Sequence, residues 1–124
     1  MKFNQVGWFE LGANQPEKAK EFYSKIFGWD FKTNPDLESQ RYQYDGIIEP
    51  GNEIPTGAIM HTADKMEQYA VFYVFIENIH HTIEKAQENG GKLLWGPVTD
   101  DSNITFAHLK DNSGHQFGLF SVKK

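Results

Sequence analysis

Gln15-Pro-Glu-Lys-Ala-Lys-Glu-Phe-Tyr-Ser-Lys-Ile-Phe27, followed at once by Gly28-Trp29, is the stretch that decides how this chain is read. Ala19, Phe22, Tyr23, Ile26 and Phe27 recur at helical spacing and form one apolar stripe, which leaves Lys18, Lys20, Glu21 and Lys25 to face water. Asn14 is expected to cap this helix, with Glu17 three positions on completing a capping box and Pro16 tolerated in the first turn. Gly28 is the expected stop. Immediately upstream, Val6-Gly-Trp-Phe-Glu-Leu11 reads as a strand.

The same order of elements then returns. Tyr69-Ala-Val-Phe-Tyr-Val-Phe-Ile76 reads as a strand, and Asn78 caps a helix whose thinner stripe is Ile79, Ile83 and Ala86. Asn89-Gly90-Gly91 ends it. Matching Gly28 to Gly91 gives an offset of 63 residues, about half of the chain, and sets Trp8 against Val71. The remaining strand candidates are Gly28 to Lys32, Arg41 to Gly46, Gly57 to Thr62, Lys92 to Pro97, Ile104 to Lys110 and Gln116 to Val122. Asp111-Asn-Ser-Gly114 has the chemistry of a tight antiparallel turn, and Asn34-Pro35-Asp36 and Glu49 to Pro55 mark loops. The repeat implies an α+β fold of two tandem strand-helix-strands modules, at about 5–63 and 69–122, within a single domain spanning 1–124. Each helix packs on the sheet its own module builds.

Composition narrows the function classes. At 124 residues the chain is long enough to bury a core without staples, and with no cysteine it has neither disulfides nor thiolate chemistry. The N-terminus shows no apolar signal core, and no run approaches the roughly 20 apolar residues of a membrane helix. A cytoplasmic protein with no membrane partner is expected. The formal charge is −5, from 17 acidic and 12 basic side chains, and no basic cluster exists to hold a phosphate backbone, so nucleic acid is not an expected partner. Aromatic residues make up 15% of the chain, enough to line a pocket for a flat or amphipathic molecule.

A tandem βαβββ unit with Phe22-Tyr23 on its first helix, Phe27-Gly28-Trp29 after it and Lys110-Asp-Asn-Ser-Gly-His115 near the end resembles the vicinal oxygen chelate superfamily. That superfamily includes glyoxalase I, bleomycin-resistance proteins and extradiol dioxygenases. The resemblance runs from Val6 to Ser121 and implies a curled mixed sheet with a cup-shaped pocket. It also implies four metal positions, one in the first and one in the last strand of each module. Carried onto this sequence they fall on Trp8, on Val71, on Gly118 and on Ala58 or Met60, none of which offers an imidazole or carboxylate. No metal site and no cofactor are expected; a divalent metal enters only in a rival reading.

Side chains two apart on a strand share a face. Trp8 and Glu10 therefore point into the pocket while Phe9 and Leu11 pack under a helix, and Val71, Tyr73 and Phe75 share one face, as do Gln116, Gly118 and Phe120. The expected ligand-binding set is Trp8, Glu10, Met60, Tyr73, Phe75, His108, Gln116 and Phe120. Glu10, a carboxylate between apolar walls, is the candidate proton acceptor. His61 and His108 lie on strands that should edge the pocket. His80 and Glu84 have the spacing of helical metal ligands but share a solvated face with Glu88, and His115 is expected at the surface. Arg41, beside Tyr42 and Tyr44, suits a surface ion pair. Asn103-Ile-Thr105 is a chance glycosylation sequon.

Function is read as a metal-independent aromatic pocket that holds a small amphipathic or aromatic molecule, as bleomycin-resistance proteins do. The rival reading is a metal-dependent lyase or dioxygenase of the glyoxalase type with Glu10, His61 and His108 as ligands. A third is a metal-free lyase or isomerase with Glu10 as general base. A homodimer is expected, since relatives of this length pair and open sheet edges favour pairing.

Overall fold

The computed structural model describes residues 2–33, 44–62 and 67–122. Ten elements follow in the order β1 (Gln5–Ala13), α1 (Pro16–Phe27), β2 (Asp30–Thr33), β3 (Tyr44–Ile48), β4 (Gly57–His61), β5 (Tyr69–Phe75), α2 (Ile79–Glu88), β6 (Lys92–Thr99), β7 (Ile104–Lys110) and β8 (Gln116–Val122). This is the α+β pattern of two βαβββ modules that the repeat implies. The strand expected from Arg41 lies outside the described residues as far as position 43. The chain divides into two compact units, Phe9–Ala70 and Val71–Lys124, and the latter also takes in Met1–Trp8.

In module one, β1 runs parallel to β4, and β3 and β2 follow as antiparallel neighbours. Module two repeats this order with β5 parallel to β8 and then β7 and β6 antiparallel. Parallel pairing of the first and last strands of each module requires a crossover, and the helix supplies it. The ladders also fix which residues correspond. Glu10 pairs with Ala58, Ala58 with Gly46 and Gly46 with Lys32; in module two Tyr73 pairs with Gly118, Gly118 with His108 and His108 with Trp95. Glu10 and Tyr73 are 63 residues apart, the offset of the sequence repeat, and Ala58 rather than Met60 is the counterpart of Gly118.

The core of module two lies under α2. Ile79 and Ile83 of the helix meet Ile76, Ala107, Leu109 and Leu119 of the sheet, with Val74, Leu93 and Phe117 at the margin. Each helical isoleucine contributes about 1.5–3 kcal/mol by leaving water. Asn78 caps α2 as expected, its side chain accepting the N–H of His81.

Helix α1 departs from its sequence reading in three ways. Its cap residue is Gln15, with no side-chain hydrogen bond, so the Asn14–Glu17 box does not form; the Asn14 N–H instead donates to Oε1 of Gln68. Phe22, Ile26 and Phe27 stay more than half exposed. The Phe22 ring meets Tyr23 edge-on, the Phe27 ring lies against Tyr23 and Trp29, Tyr23 stacks on Trp29, and Trp29 in turn meets Phe9. Lys20 does not face water. It pairs with Asp45, which is 1% exposed on β3, and that pairing raises the Lys20 pKa although burial opposes it. Gly28 does end the helix, with φ +71°, a conformation glycine takes without strain.

Candidate functional site

Strand alternation places the expected residues on the sheet faces turned away from the helices, in two groups. In module two, Tyr73, Phe75, His108, Gln116 and Phe120 come together. The Tyr73 hydroxyl bonds Nε2 of His108, the Gln116 amide lies 3.1 Å from His108 Nδ1, and the Phe120 ring sits 5.1 Å from Phe75 and 6.5 Å from Tyr73 between centroids. Gly118 makes this arrangement possible, because a Cβ there would run into the Tyr73 ring.

Trp95 completes the row. Its indole lies over His108 at 5.2 Å and 30° from parallel, with Phe106 beside it at 5.4 Å. Sequence reading missed it because β6 carries register shifts on either side of Trp95, and alternation cannot be counted through a bulge. His108 is 7% exposed, and burial lowers its pKa from 6.5 to about 4. The imidazole is neutral at pH 7, with both ring nitrogens in hydrogen bonds to protein groups.

In module one, Glu10 is 5% exposed. Its Oε2 accepts a 2.6 Å hydrogen bond from the Tyr69 hydroxyl, and the Tyr69 ring lies over Gly12, where no Cβ would fit. Burial first, and the Glu10 charge second, push the Tyr69 phenol well above its ordinary pKa. Tyr69 was also missed, although alternation carried back from Tyr73 and Val71 reaches it. Met60 pairs with Gly12 and so shares the face of Glu10. Pro55 covers Gly46 closely enough to bar a Cβ, which closes the position that His108 holds in module two. Trp8 is half-buried on β1.

His61 is corrected. It is exposed and follows Met60, so alternation turns it to the opposite face from Glu10. The ligand set Glu10, His61 and His108 loses that member. Among the described residues, no group of three or more His, Asp or Glu side chains is placed to hold a metal ion. His80 and Glu84 are exposed on α2, and His115 is exposed with its ring 3.1 Å from Asp111. Arg41 and Tyr42 lie outside the described residues. No helix among them is long and apolar enough to cross a membrane.

The family model for the Glyoxalase/Bleomycin resistance protein/Dioxygenase superfamily matches residues 5–119. The chain belongs to this superfamily. A glyoxylase-like domain-containing protein from Didymella fabae is 29% identical over 117 residues, covering 93% of this chain and 91% of that protein. Among solved structures, a hypothetical protein from Bacillus halodurans C-125 superposes with a TM-score of 0.65 at 16% identity, covering 99% and 97% of the two chains. A methylmalonyl-CoA epimerase from Streptomyces coelicolor, in complex with 2-nitronate-propionyl-CoA, does so with a TM-score of 0.60 at 12% identity, covering 99% and 100%. At such identities the structures share the glyoxalase/bleomycin-resistance fold and nothing finer.

Proposed function

We propose that this glyoxalase/bleomycin-resistance-type chain binds a small amphipathic or aromatic molecule without a resident metal, on the face formed by Tyr73, Trp95, His108, Gln116 and Phe120. The observation that carries the reading is the engagement of His108. A metal-ligating imidazole must aim a lone pair at the ion, and both nitrogens of this ring are committed to Tyr73 and Gln116. The corresponding superfamily positions in the first and last strands hold Val71 and Gly118, which have no donor atom. Aromatic rings around a neutral imidazole suit a flat, largely apolar ligand fixed by a few hydrogen bonds. The chain acts as a homodimer in this proposal, with the small molecule as its ligand.

Trp95 is the natural reporter. Titration of an aromatic compound library against its emission should find compounds that quench wild-type protein and fail to quench Trp95→Phe. A ligand at 100 times its dissociation constant should also add about 2.7 kcal/mol to stability. Protein purified without chelator and containing a near-stoichiometric divalent metal would refute the proposal.

A second reading rests on a separate observation, the buried Glu10 carboxylate held by Tyr69. In it Glu10 takes a proton from a bound substrate, so the protein is a metal-free lyase or isomerase. Glu10→Gln would then abolish turnover and leave ligand affinity within about threefold. A variant that retains turnover rules this reading out.

A further inference from the structure

A cavity of about 580 Å³ opens at the end of module two where α2 begins, and it shares Phe75 alone with the group around His108. Its floor is a ladder of hydroxyls. Thr99, Thr105 and Ser121 are cross-strand neighbours on β6, β7 and β8, and Thr105 and Ser121 share the face of Ala107 and Leu119 that α2 covers. The Thr99 and Thr105 hydroxyls lie 2.8 Å apart; one donates to the other, so one hydrogen of the pair remains free to donate to a ligand. Ser121 is 8% exposed and lines the cavity. Its hydroxyl makes no hydrogen bond among the described residues and stays open to the cavity, so its O–H is free to donate to a ligand there.

The other wall is the first turn of α2. Asn78 accepts the N–H of His81, while the N–H groups of Ile79 and His80 have no acceptor within the helix. Both residues line the cavity. Helix N-termini favour negative charge. No Lys or Arg is among the described lining residues and Glu77 is one of them, so only the hydroxyls and the helix N-terminus offset a ligand's charge, and repulsion from Glu77 weighs more against a phosphate dianion than against a single carboxylate. Phe3 and Phe75, 5.0 Å apart between centroids, give an apolar side.

We infer that this cavity is a binding site for the carboxylate of a small amphipathic molecule, with Ser121 and Thr105 donating to the carboxylate alongside the first N–H groups of α2 and with the Phe3–Phe75 pair packing on the apolar body. The site shares Phe75 with the group around His108 but uses neither Trp95 nor His108, and it does not require the Trp95–His108 face to bind anything.

Phenylacetate is a suitable probe, read by amide NMR at Ile79 and His80, with phenylacetamide and inorganic phosphate as comparisons. Saturable shifts with phenylacetate are expected, with phenylacetamide and phosphate at least about tenfold weaker. Ser121→Ala should weaken phenylacetate about tenfold, as expected for losing a hydrogen bond to a charged group. Thr105→Val, which keeps the shape of the strand residue, gives the same reading should Ser121→Ala fold poorly. Equal binding of the neutral amide, stronger binding of phosphate, or unchanged affinity in both variants would overturn the inference. Shifts at these two amides are separate from Trp95 emission, so either site can fail without the other.

Discussion

The Tyr69 phenol donates a 2.6 Å hydrogen bond to the Glu10 carboxylate within the compact unit Phe9–Ala70. Tyr69→Phe removes that donor and keeps the ring over Gly12, so packing is preserved while Glu10 loses part of its solvation. A loss of about 1–3 kcal/mol is expected, measured as a lower urea midpoint with an unchanged m-value. Unchanged stability would mean that the bond is replaced by water.

His108 makes stability depend on pH below neutrality. Its pKa is lowered from 6.5 to about 4 in the folded protein. Above pH 6.5 the ring is neutral in both states and contributes no slope. Between 6.5 and about 4 the unfolded chain takes a proton that the folded one refuses, so stability falls as pH drops, by on the order of 2–3 kcal/mol across the window. His108→Gln, which cannot titrate, should remove that part of the slope. Parallel urea titrations of the two proteins at pH 7, 5.5 and 4.5 check it, and parallel curves would refute the burial of a neutral ring.

Lys20 and Asp45 form an ion pair whose acid is almost wholly buried. Breaking such a pair from one side leaves a buried charge poorly compensated, so Lys20→Met should cost about 3 kcal/mol. Lys20→Met combined with Asp45→Leu should recover part of the loss, because neither charge is then buried. A thermal-melt cycle over the four proteins measures the coupling.

Gly118→Ala places a methyl against the Tyr73 ring. Tyr73 must tilt, which disturbs its hydrogen bond to His108, and overpacking of this kind costs about 1–3 kcal/mol. The near-UV circular dichroism of the aromatic face should change with it. An unaltered spectrum would show that the ring has room to move.

The architecture was legible because it rests on repetition. The offset of 63 between Gly28 and Gly91 also sets Glu10 against Tyr73 in the ladders, and the faces read by alternation on β5 and β8 are those observed. What stayed hidden depends on tertiary context. Periodicity shows which side of α1 is apolar but not how much sheet lies beneath it, so Phe22, Ile26 and Phe27 were assigned to a core they do not enter. Asn14 has the chemistry of a cap, but its backbone faces Gln68 and the helix starts later. Lys20 resembled its solvated neighbours until β3 brought a buried acid under it. His61 lies one step along the strand from Met60, and that single step changes its face.

One boundary in the chain has a consequence for dissection. Gln5–Trp8 opens the first copy of the sequence repeat, yet these residues belong to the compact unit of Val71–Lys124, and the N–H of Asn4 donates to the Phe75 carbonyl. Fragments cleaved between the two copies of the repeat would therefore fold poorly apart and regain order when mixed. The segment that duplicates and the segment that packs as one compact unit are offset from each other by the first eight residues.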